Sequence, residues 1–334
     1  MTSADDLFAK AVAKVFDQTL GQTAVEHMTC AGSLRLRMMF ASESLAQAYL
    51  PSFLQDGSGP VDLTIGVVGA QVDLSELIAS PADESRTYVS AAYFSVWYAD
   101  RLPMLYVLER KTRRGFVWLS TGTAPKWELS RPVCPLIHAV SVETPWVAIH
   151  GGAVGRDGRS LMLAGKGHSG KTTAALACAR AGWDYAGDDY VFAHTRTGQI
   201  EPLYASARLR IDMAEPFADM LSASTGISED DGEMRHELRL SRYLKPERIK
   251  GGRVRAILLP RRRGARHPEF SPARRADAFS ALFVTTTLGM PGPLHWVADK
   301  VKVLVGCAPA FFVDTGQTPE AIPDAFARFL SRIS

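Results

Sequence analysis

Cysteine is scarce in this chain, and its placement excludes two common ways of stabilising a fold. The four cysteines form no Cys-x-x-Cys pair and have no metal-ligand spacing with histidine; they are Cys30, Cys134, Cys178 and Cys307. This argues against a zinc site and a disulfide framework, and free thiols suit a reducing compartment. No apolar run approaches the roughly 20 residues of a membrane-spanning helix, and the acidic N-terminus lacks the apolar core of a signal peptide. We therefore expect a cytoplasmic protein.

An excess of charge of one sign is also missing. The net charge is +3 over 334 residues, of which 22% are charged and 46% are apolar. Such a small excess does not predict a nucleic-acid or membrane partner. There is no internal repeat and no low-complexity tract. The length and composition indicate a globular protein with two domains.

A glycine-rich segment in the middle of the chain fits the phosphate-loop pattern G-x-x-x-x-G-K-[ST] without a substitution. We call it the glycine loop; its residues are Gly165, Lys166, Gly167, His168, Ser169, Gly170, Lys171, Thr172 and Thr173. The apolar run Leu161–Ala164 precedes it and the helix-forming run Ala174–Ala181 follows it, which is the strand–loop–helix context that the motif requires. Backbone N–H groups and the start of a helix attract phosphate. The alternative is a glycine-rich turn before a helix.

Two side chains of the glycine loop have specific expected roles. Lys171 would reach the outer phosphates of a nucleotide, and the hydroxyl of Thr172 would complete the coordination of Mg²⁺. His168 lies where the backbone would contact phosphate, so its side chain is not expected to matter. ATP and Mg²⁺ are the predicted cofactors.

A pair of adjacent acids returns to the glycine loop by simple geometry. A helix of about 11 residues carries the chain roughly 16 Å away from the loop. A strand from Trp183 to Asp188 recovers about 20 Å at some 3.3 Å per residue. Asp188 and Asp189 therefore come back beside Lys171 and Thr172. There they would be metal ligands together with Thr172, and one of them could act as a base.

The sequence from His150 to Asp189 resembles HPr kinase/phosphorylase and the related phosphoenolpyruvate carboxykinases. The resemblance depends on Ile149-His150-Gly151, the glycine loop and the Asp188-Asp189 pair directly after the first helix. It implies that His150 and Lys171 contact phosphates, that Thr172 binds Mg²⁺ and that Asp189 is the catalytic base. The family's glutamate in a Glu-Ile-Arg-Gly segment is absent, because this chain reads Ala-Ser-Ala-Arg-Leu-Arg over residues 205–210. The second metal ligand and the family's reverse reaction are therefore not predicted.

The predicted fold class is α/β with two domains. Residues 1–128 form a sheet-rich α/β domain of unknown role, and residues 129–334 form an HPr kinase/carboxykinase-like P-loop domain with a mixed sheet. In the first domain we predict a helix over 4–20 and strands over 33–39, 62–72, 87–99, 103–110 and 115–119. Residues 123–135 are predicted to be a linker. In the second domain we predict a polar loop over 222–237, a strand over 254–259, helices over 276–287 and 319–333, and a last strand within 304–313.

The predicted activity is transfer of the γ-phosphoryl group of ATP to a hydroxyl, which the resemblance suggests is seryl, on a protein, peptide or small molecule. Asp189, His150, Lys171 and Asp188 are the predicted catalytic residues. Arg261 joins them because it leaves the end of a basic strand, where a transition-state arginine could lie; the alternative is a solvated basic face. A carboxykinase-like lyase and a nucleotide-sensing module without transfer are the other readings. A homo-oligomer is left open.

Overall fold

The computed structural model describes residues 4–54, 59–72, 74, 86–99, 102–230 and 232–333. The chain has the mixed α/β composition that the sequence predicts, and it divides into two compact units, Met1–Val140 and Ser141–Ser334. The division falls at Val140 rather than at the predicted residue 128. A buried contact explains the difference, because the hydroxyl of Tyr106 lies 2.5 Å from the carboxylate of Glu128 and ties residues beyond 125 to the first sheet.

The first unit is built on a seven-stranded sheet in the order β1-β2-β3-β7-β6-β5-β4. Strand β3 runs parallel to β2 and β7, and the other pairs are antiparallel. The apolar face of the first helix packs on this sheet through Val12, Val15 and Phe16. The elements are α1 Ala4–Gly21, β1 Val25–Ala31, β2 Leu34–Phe40, α2 Glu43–Tyr49, β3 Leu63–Val68, β4 Arg86–Val89, β5 Tyr93–Tyr98, β6 Met104–Glu109, β7 Arg114–Leu119, α3 Lys126–Ser130 and α4 Cys134–Ser141.

Two predictions for this unit are wrong in detail. The predicted strand over 87–99 is the hairpin β4–β5. The chain turns there because the Ser90 hydroxyl accepts hydrogen bonds from the backbone N–H groups of Ala92 and Tyr93. The predicted linker over 123–135 contains α3 and the start of α4. Its prolines lie where a helix tolerates them, since Pro125 precedes α3 and Pro135 is in the first turn of α4.

The second unit is built on a six-stranded mixed sheet in the order β11-β9-β10-β17-β19-β18. Its two central pairs, β10–β17 and β17–β19, are parallel, and its outer pairs are antiparallel. The strands are β8 Trp146–His150, β9 Gly152–Arg156, β10 Arg159–Leu163, β11 Asp184–Gly187, β12 Tyr190–His194, β13 Ile200–Pro202, β14 Ser206–Arg210, β15 Ser224–Asp230, β16 Glu233–Arg239, β17 Arg253–Arg261, β18 Glu269–Ala273 and β19 Ala310–Asp314. The helices are α5 Lys171–Arg180, α6 Arg275–Gly289, α7 His295–Leu304 and α8 Ile322–Arg332.

Both faces of the six-stranded sheet are buried. Leu161 and Leu163 of β10 join one core with α5 and α8, whereas Met162 and Ala164 join a second core with α6 and α7. This alternation explains why the strand reads as a continuous apolar run. The glycine loop is therefore attached to a strand that is held from both sides.

Two three-stranded sheets complete the unit, in the orders β13-β12-β8 and β14-β16-β15. The second of them contradicts the predicted loop over 222–237, because residues 224–230 form β15 and residues 233–237 belong to β16. The polar sequence misled the prediction because charged side chains pair across the strands: Glu237 of β16 lies 3.1 Å from Arg208 of β14, and these side chains are only 3% and 4% exposed.

The remaining predictions for this unit agree with the structure in element type. Strand β17 and helices α6 and α8 lie where the sequence places them, and β19 lies within the predicted last segment. Helix α7 was not predicted, although Val297, Val301 and Leu304 have helical spacing and are buried. No helix among the described residues is long and apolar enough to cross a membrane.

Candidate active site

The glycine loop connects β10 to α5, and its backbone bends at positions that suit glycine. Gly165 has φ 151° and Gly170, directly before α5, has φ 104°, values that side chains other than glycine rarely adopt. His168 also has a positive φ, of 63°. The loop thus delivers Lys171 and Thr172 as the first two residues of α5, where backbone N–H groups have no partner within the helix.

Lys171 folds back over the glycine loop. Its side-chain ammonium donates hydrogen bonds to the carbonyl oxygens of Gly165, at 2.6 Å, and Lys166, at 3.2 Å. Burial lowers the pKa of Lys171, and the carboxylates of Asp189 and Asp188 oppose that effect. The ammonium therefore lies within electrostatic reach of both acids, as the chain geometry predicts.

The acid pair reaches the loop because β11 runs in the same direction as β10 with β9 between them. Both strands are antiparallel to β9, so their carboxyl ends meet at one edge of the sheet, two strand spacings or roughly 10 Å apart. The space between them is kept open by glycine. A Cβ at Gly152 would lie 2.9 Å from the carbonyl oxygen of Gly187 and 3.1 Å from the Cα of Asp188. No larger residue fits between the loop and the acids without displacing one of them.

Asp188 is buried and held by hydrogen bonds. The Tyr185 hydroxyl lies 2.8 Å from its Oδ1, the backbone N–H of Arg208 lies 3.5 Å from its Oδ2, and the Thr172 side chain also bonds the carboxylate. Burial raises the pKa of Asp188 to about 6, and the adjacent charge of Asp189 adds to the rise. A buried carboxylate beside a threonine hydroxyl is an oxygen pair that a divalent cation would stabilise.

Asp189 pairs with His150. Its Oδ1 lies 2.9 Å from Nε2 of the histidine, and both side chains are about a quarter exposed, at 24% and 25%. The other ring nitrogen, Nδ1, lies 3.1 Å from the carbonyl oxygen of Thr285. A carboxylate and a carbonyl oxygen therefore lie at the two ring nitrogens, and His150 links the acid pair to α6.

The ring of His150 is fixed by two further elements. It stacks on Tyr190 with ring centroids 4.9 Å apart, and the Tyr190 hydroxyl donates to the carbonyl oxygen of Gly289 at 3.1 Å. The backbone N–H of His150 donates to the hydroxyl of Thr286 at 3.1 Å. Thr285 and Thr286 of α6 thus fix the position of His150. The sequence alone did not reveal this role.

The oxygen atoms at this edge suit a small, hard cation. Thr172, Asp188 and Asp189 would supply hydroxyl and carboxylate ligands, the types that Mg²⁺ prefers. Among the described residues there is no group of three or more His, Cys, Asp or Glu side chains able to hold a metal by themselves. Nucleotide-bound Mg²⁺ usually completes its coordination with phosphate oxygens and water.

A cavity of about 710 Å³ opens beside the glycine loop. Residues 164–169 form one side of it, and Arg261, Phe312 and the α6 residues Ser280 and Thr285 are on its other sides. The guanidinium of Arg261 lies 4.2 Å from the centre of the Phe312 ring and donates to the Ser271 hydroxyl at 3.0 Å. Arg261 is thus next to the loop, with its guanidinium engaged by its neighbours.

His168 and the hairpin β15–β16 form the part of the site that sequence reasoning missed. Nε2 of His168 lies 2.6 Å from the carboxylate of Glu233, at the start of β16. The histidine side chain, expected to be without consequence, thus joins the loop to a hairpin that was predicted to be an irregular loop. Neither the protein-family models nor the curated proteins give a match to this chain.

Proposed function

We propose that this protein is a Mg²⁺- and ATP-dependent kinase that transfers the γ-phosphoryl group to a hydroxyl acceptor. The observation that carries the proposal is the placement of the acid pair: Asp188 bonds the Thr172 side chain of the glycine loop, and Oδ1 of Asp189 lies 2.9 Å from Nε2 of His150. Phosphoryl transfer needs a cradle for phosphates, a cation and a group that takes the acceptor's proton. One edge of one sheet offers residues suited to all three.

Each residue has a role that follows from its surroundings. Lys171, which now bonds two loop carbonyls, would turn its ammonium to the outer phosphates. Thr172 and Asp188 would hold Mg²⁺, which supplies neutralisation of phosphate charge when bound. Asp189, held beside His150, would accept the proton of the acceptor hydroxyl. His150 would contact the transferred group.

The cavity beside the glycine loop supports a nucleotide as the phosphate donor. Its volume, about 710 Å³, lies within the range of small-molecule sites. Its walls combine the Phe312 ring with polar groups from α6, such as Ser280 and Thr285, which suits a base and a sugar. The resemblance to HPr kinase/phosphorylase points to a seryl hydroxyl as acceptor, on a protein, a peptide or a small molecule.

The proposal is tested by nucleotide binding and by transfer. Calorimetric titration with Mg·ATP should show binding to the wild type, and Lys171→Ala should weaken it by roughly 10-fold to 150-fold, since a hydrogen bond to a charged group contributes about 1.5–3 kcal/mol. Lys302→Ala, which removes an exposed lysine of α7, should bind like the wild type. Equal affinity of the wild type and Lys171→Ala would refute the proposal.

Transfer is then measured with γ-labelled ATP and a panel of seryl peptides and small alcohols. Label on an acceptor that depends on Asp189 supports the kinase. Tight Mg·ATP binding with no transfer to any acceptor would instead favour a nucleotide-sensing module.

A further inference from the structure

The hairpin β15–β16 brings a second group of charged side chains to the glycine loop. Glu233 is its centre. Its carboxylate lies 2.6 Å from Nε2 of His168 and 3.4 Å from a terminal nitrogen of Arg210, and it also pairs with a terminal nitrogen of Arg235. Three nitrogen donors from three segments of the chain thus converge on one carboxylate beside the loop.

The strand register explains why two arginines stand together here. Arg210 of β14 is the direct cross-strand partner of Arg235 of β16, so both side chains lie on the same face of the small sheet. Like charges directly opposite one another destabilise a sheet. Glu233 lies two residues before Arg235 and therefore on the same face, where it neutralises them.

Of the two arginines, Arg235 has donor capacity to spare. Arg210 is engaged by both oxygens of Asp212, at 2.9 and 2.6 Å, and by His168. The Nε of Arg235 is buried and has no hydrogen-bond partner among the residues that the structure describes. Through the Glu233 carboxylate the guanidinium is joined to His168, which is a residue of the glycine loop itself.

We propose that Arg235 is the arginine that binds the γ-phosphoryl group and stabilises its charge during transfer, and that the Glu233 carboxylate holds it in place when no nucleotide is bound. This rests on the proposed kinase function. In the reaction the bond between the γ-phosphorus and the oxygen bridging to ADP breaks and a bond to the acceptor oxygen forms. The acceptor proton passes to Asp189, and ADP leaves. Arg235 donates to the non-bridging oxygens, where the charge is redistributed.

This assignment differs from Arg261, which the sequence suggested. Arg261 lies on the Phe312 ring and bonds Ser271, which fixes its guanidinium, and its Nε, like that of Arg235, is buried with no hydrogen-bond partner among the described residues. The two arginines therefore differ in their anionic partner and not in this nitrogen. The only anionic partner of Arg235 at the loop, in the part of the chain that is described, is the Glu233 carboxylate. A γ-phosphate bears more charge than a carboxylate and can replace it.

The decisive measurement is the ratio of affinities for Mg·ATP and Mg·ADP. Because Arg235 is assigned to the γ-phosphoryl group alone, Arg235→Ala should weaken Mg·ATP binding about tenfold or more and leave Mg·ADP binding close to that of the wild type. With an acceptor, kcat should fall by about 10³-fold to 10⁵-fold. Arg159→Ala is the matched control, since it removes an arginine–aspartate pair of 4.0 Å at the opposite end of β10.

Two more variants complete the test. Arg235→Lys keeps the charge and loses the two-pronged donor geometry, so it should retain ATP binding better than Arg235→Ala while kcat remains low. Glu233→Gln removes the competing carboxylate, so its ATP affinity should rise relative to its ADP affinity. If Arg235→Ala were to fold poorly, the lysine variant alone would still decide the matter through its kcat.

The outcomes separate this inference from the function on which it rests. A wild-type protein that binds neither Mg·ATP nor Mg·ADP contradicts the kinase itself. Wild-type binding of both nucleotides, with an unchanged ATP to ADP ratio in Arg235→Ala and a normal kcat in Arg235→Lys, overturns the assignment of Arg235 alone.

Discussion

Replacing Asp189 by asparagine isolates the proton-accepting step from nucleotide binding. An asparagine side chain has nearly the same shape, and its carbonyl oxygen can still accept the hydrogen bond from His150 that Oδ1 accepts at 2.9 Å in the wild type. It cannot take up a proton at neutral pH. The backbone carbonyl of residue 189, which accepts from the N–H of Gly151 at 2.9 Å, is unaffected. The variant should therefore fold and bind Mg·ATP.

The size of the effect follows from the role assigned to the carboxylate. General-base assistance contributes about 10²-fold to 10⁴-fold in rate, which corresponds to roughly 3–5 kcal/mol of barrier. We expect kcat to fall by that factor. The affinity for Mg·ATP should change by less, because Thr172 and Asp188 remain to hold the cation.

The assay is rapid-quench measurement of label transfer at saturating Mg·ATP, with the best acceptor from the panel. Asp157→Asn serves as the control, because Asp157 is exposed in the β9–β10 turn at φ 52°, a conformation that asparagine tolerates. A transfer rate in Asp189→Asn within threefold of the wild type would refute the assignment of Asp189 as the base.

Three further perturbations have defined outcomes. Asp188→Asn should raise the Mg²⁺ concentration needed for half-maximal rate more than Asp189→Asn does, measured by magnesium titration at fixed ATP. Gly152→Ala places a Cβ 2.9 Å from the carbonyl oxygen of Gly187, so kcat should drop about tenfold or more. Gly21→Ala is the control, because a Cβ at Gly21 meets nothing within 4 Å and kcat should not change. Burial raises the pKa of Glu128 from 4.5, its value in the unfolded chain, to about 7. The protonated side chain therefore stabilises the first unit fully below pH 4.5, and this stabilisation is lost as the pH rises through 7. Over that pH range the free energy of opening measured by hydrogen exchange at the β6 amides should decrease by up to about 3 kcal/mol, at 1.36 kcal/mol per pKa unit. The Glu128→Gln variant should show no such decrease.

The centre of the site could be predicted from sequence because it is local. From Gly165 to Asp189 the loop, one helix and one short strand follow one another, and fixed rises per residue return Asp188 to Thr172. The end of α5 is also predictable from sequence, because glycine commonly ends a helix in a left-handed conformation and Gly182 has φ 81° there. A pattern of this kind needs no knowledge of the rest of the fold.

The second part of the site could not be found this way, because it is formed by pairing distant segments. Residues 224–230 and 233–239 lack apolar alternation, yet they form strands in which the buried Glu237 pairs with Arg208 of β14 and Arg235 lies opposite Arg210 of β14. Sequence patterns indicate which side chains enter an apolar core, but not which charges will neutralise each other. For the same reason Arg261 was noticed in its basic run while Arg235 was not.

The chain passes from one sheet to another twice at the same point. Strand β8 of the small sheet ends at His150 and β9 of the large sheet begins at Gly152, while β11 of the large sheet ends at Gly187 and β12 of the small sheet begins at Tyr190. His150 is the register partner of Tyr190, and the Gly151 amide bonds the Asp189 carbonyl. Because side chains alternate along a strand, one residue inserted in either crossing would turn the following strand over. Insertions that leave the site intact are therefore expected in turns such as Asp157-Gly158, between β9 and β10. A tag or reporter loop is best inserted there.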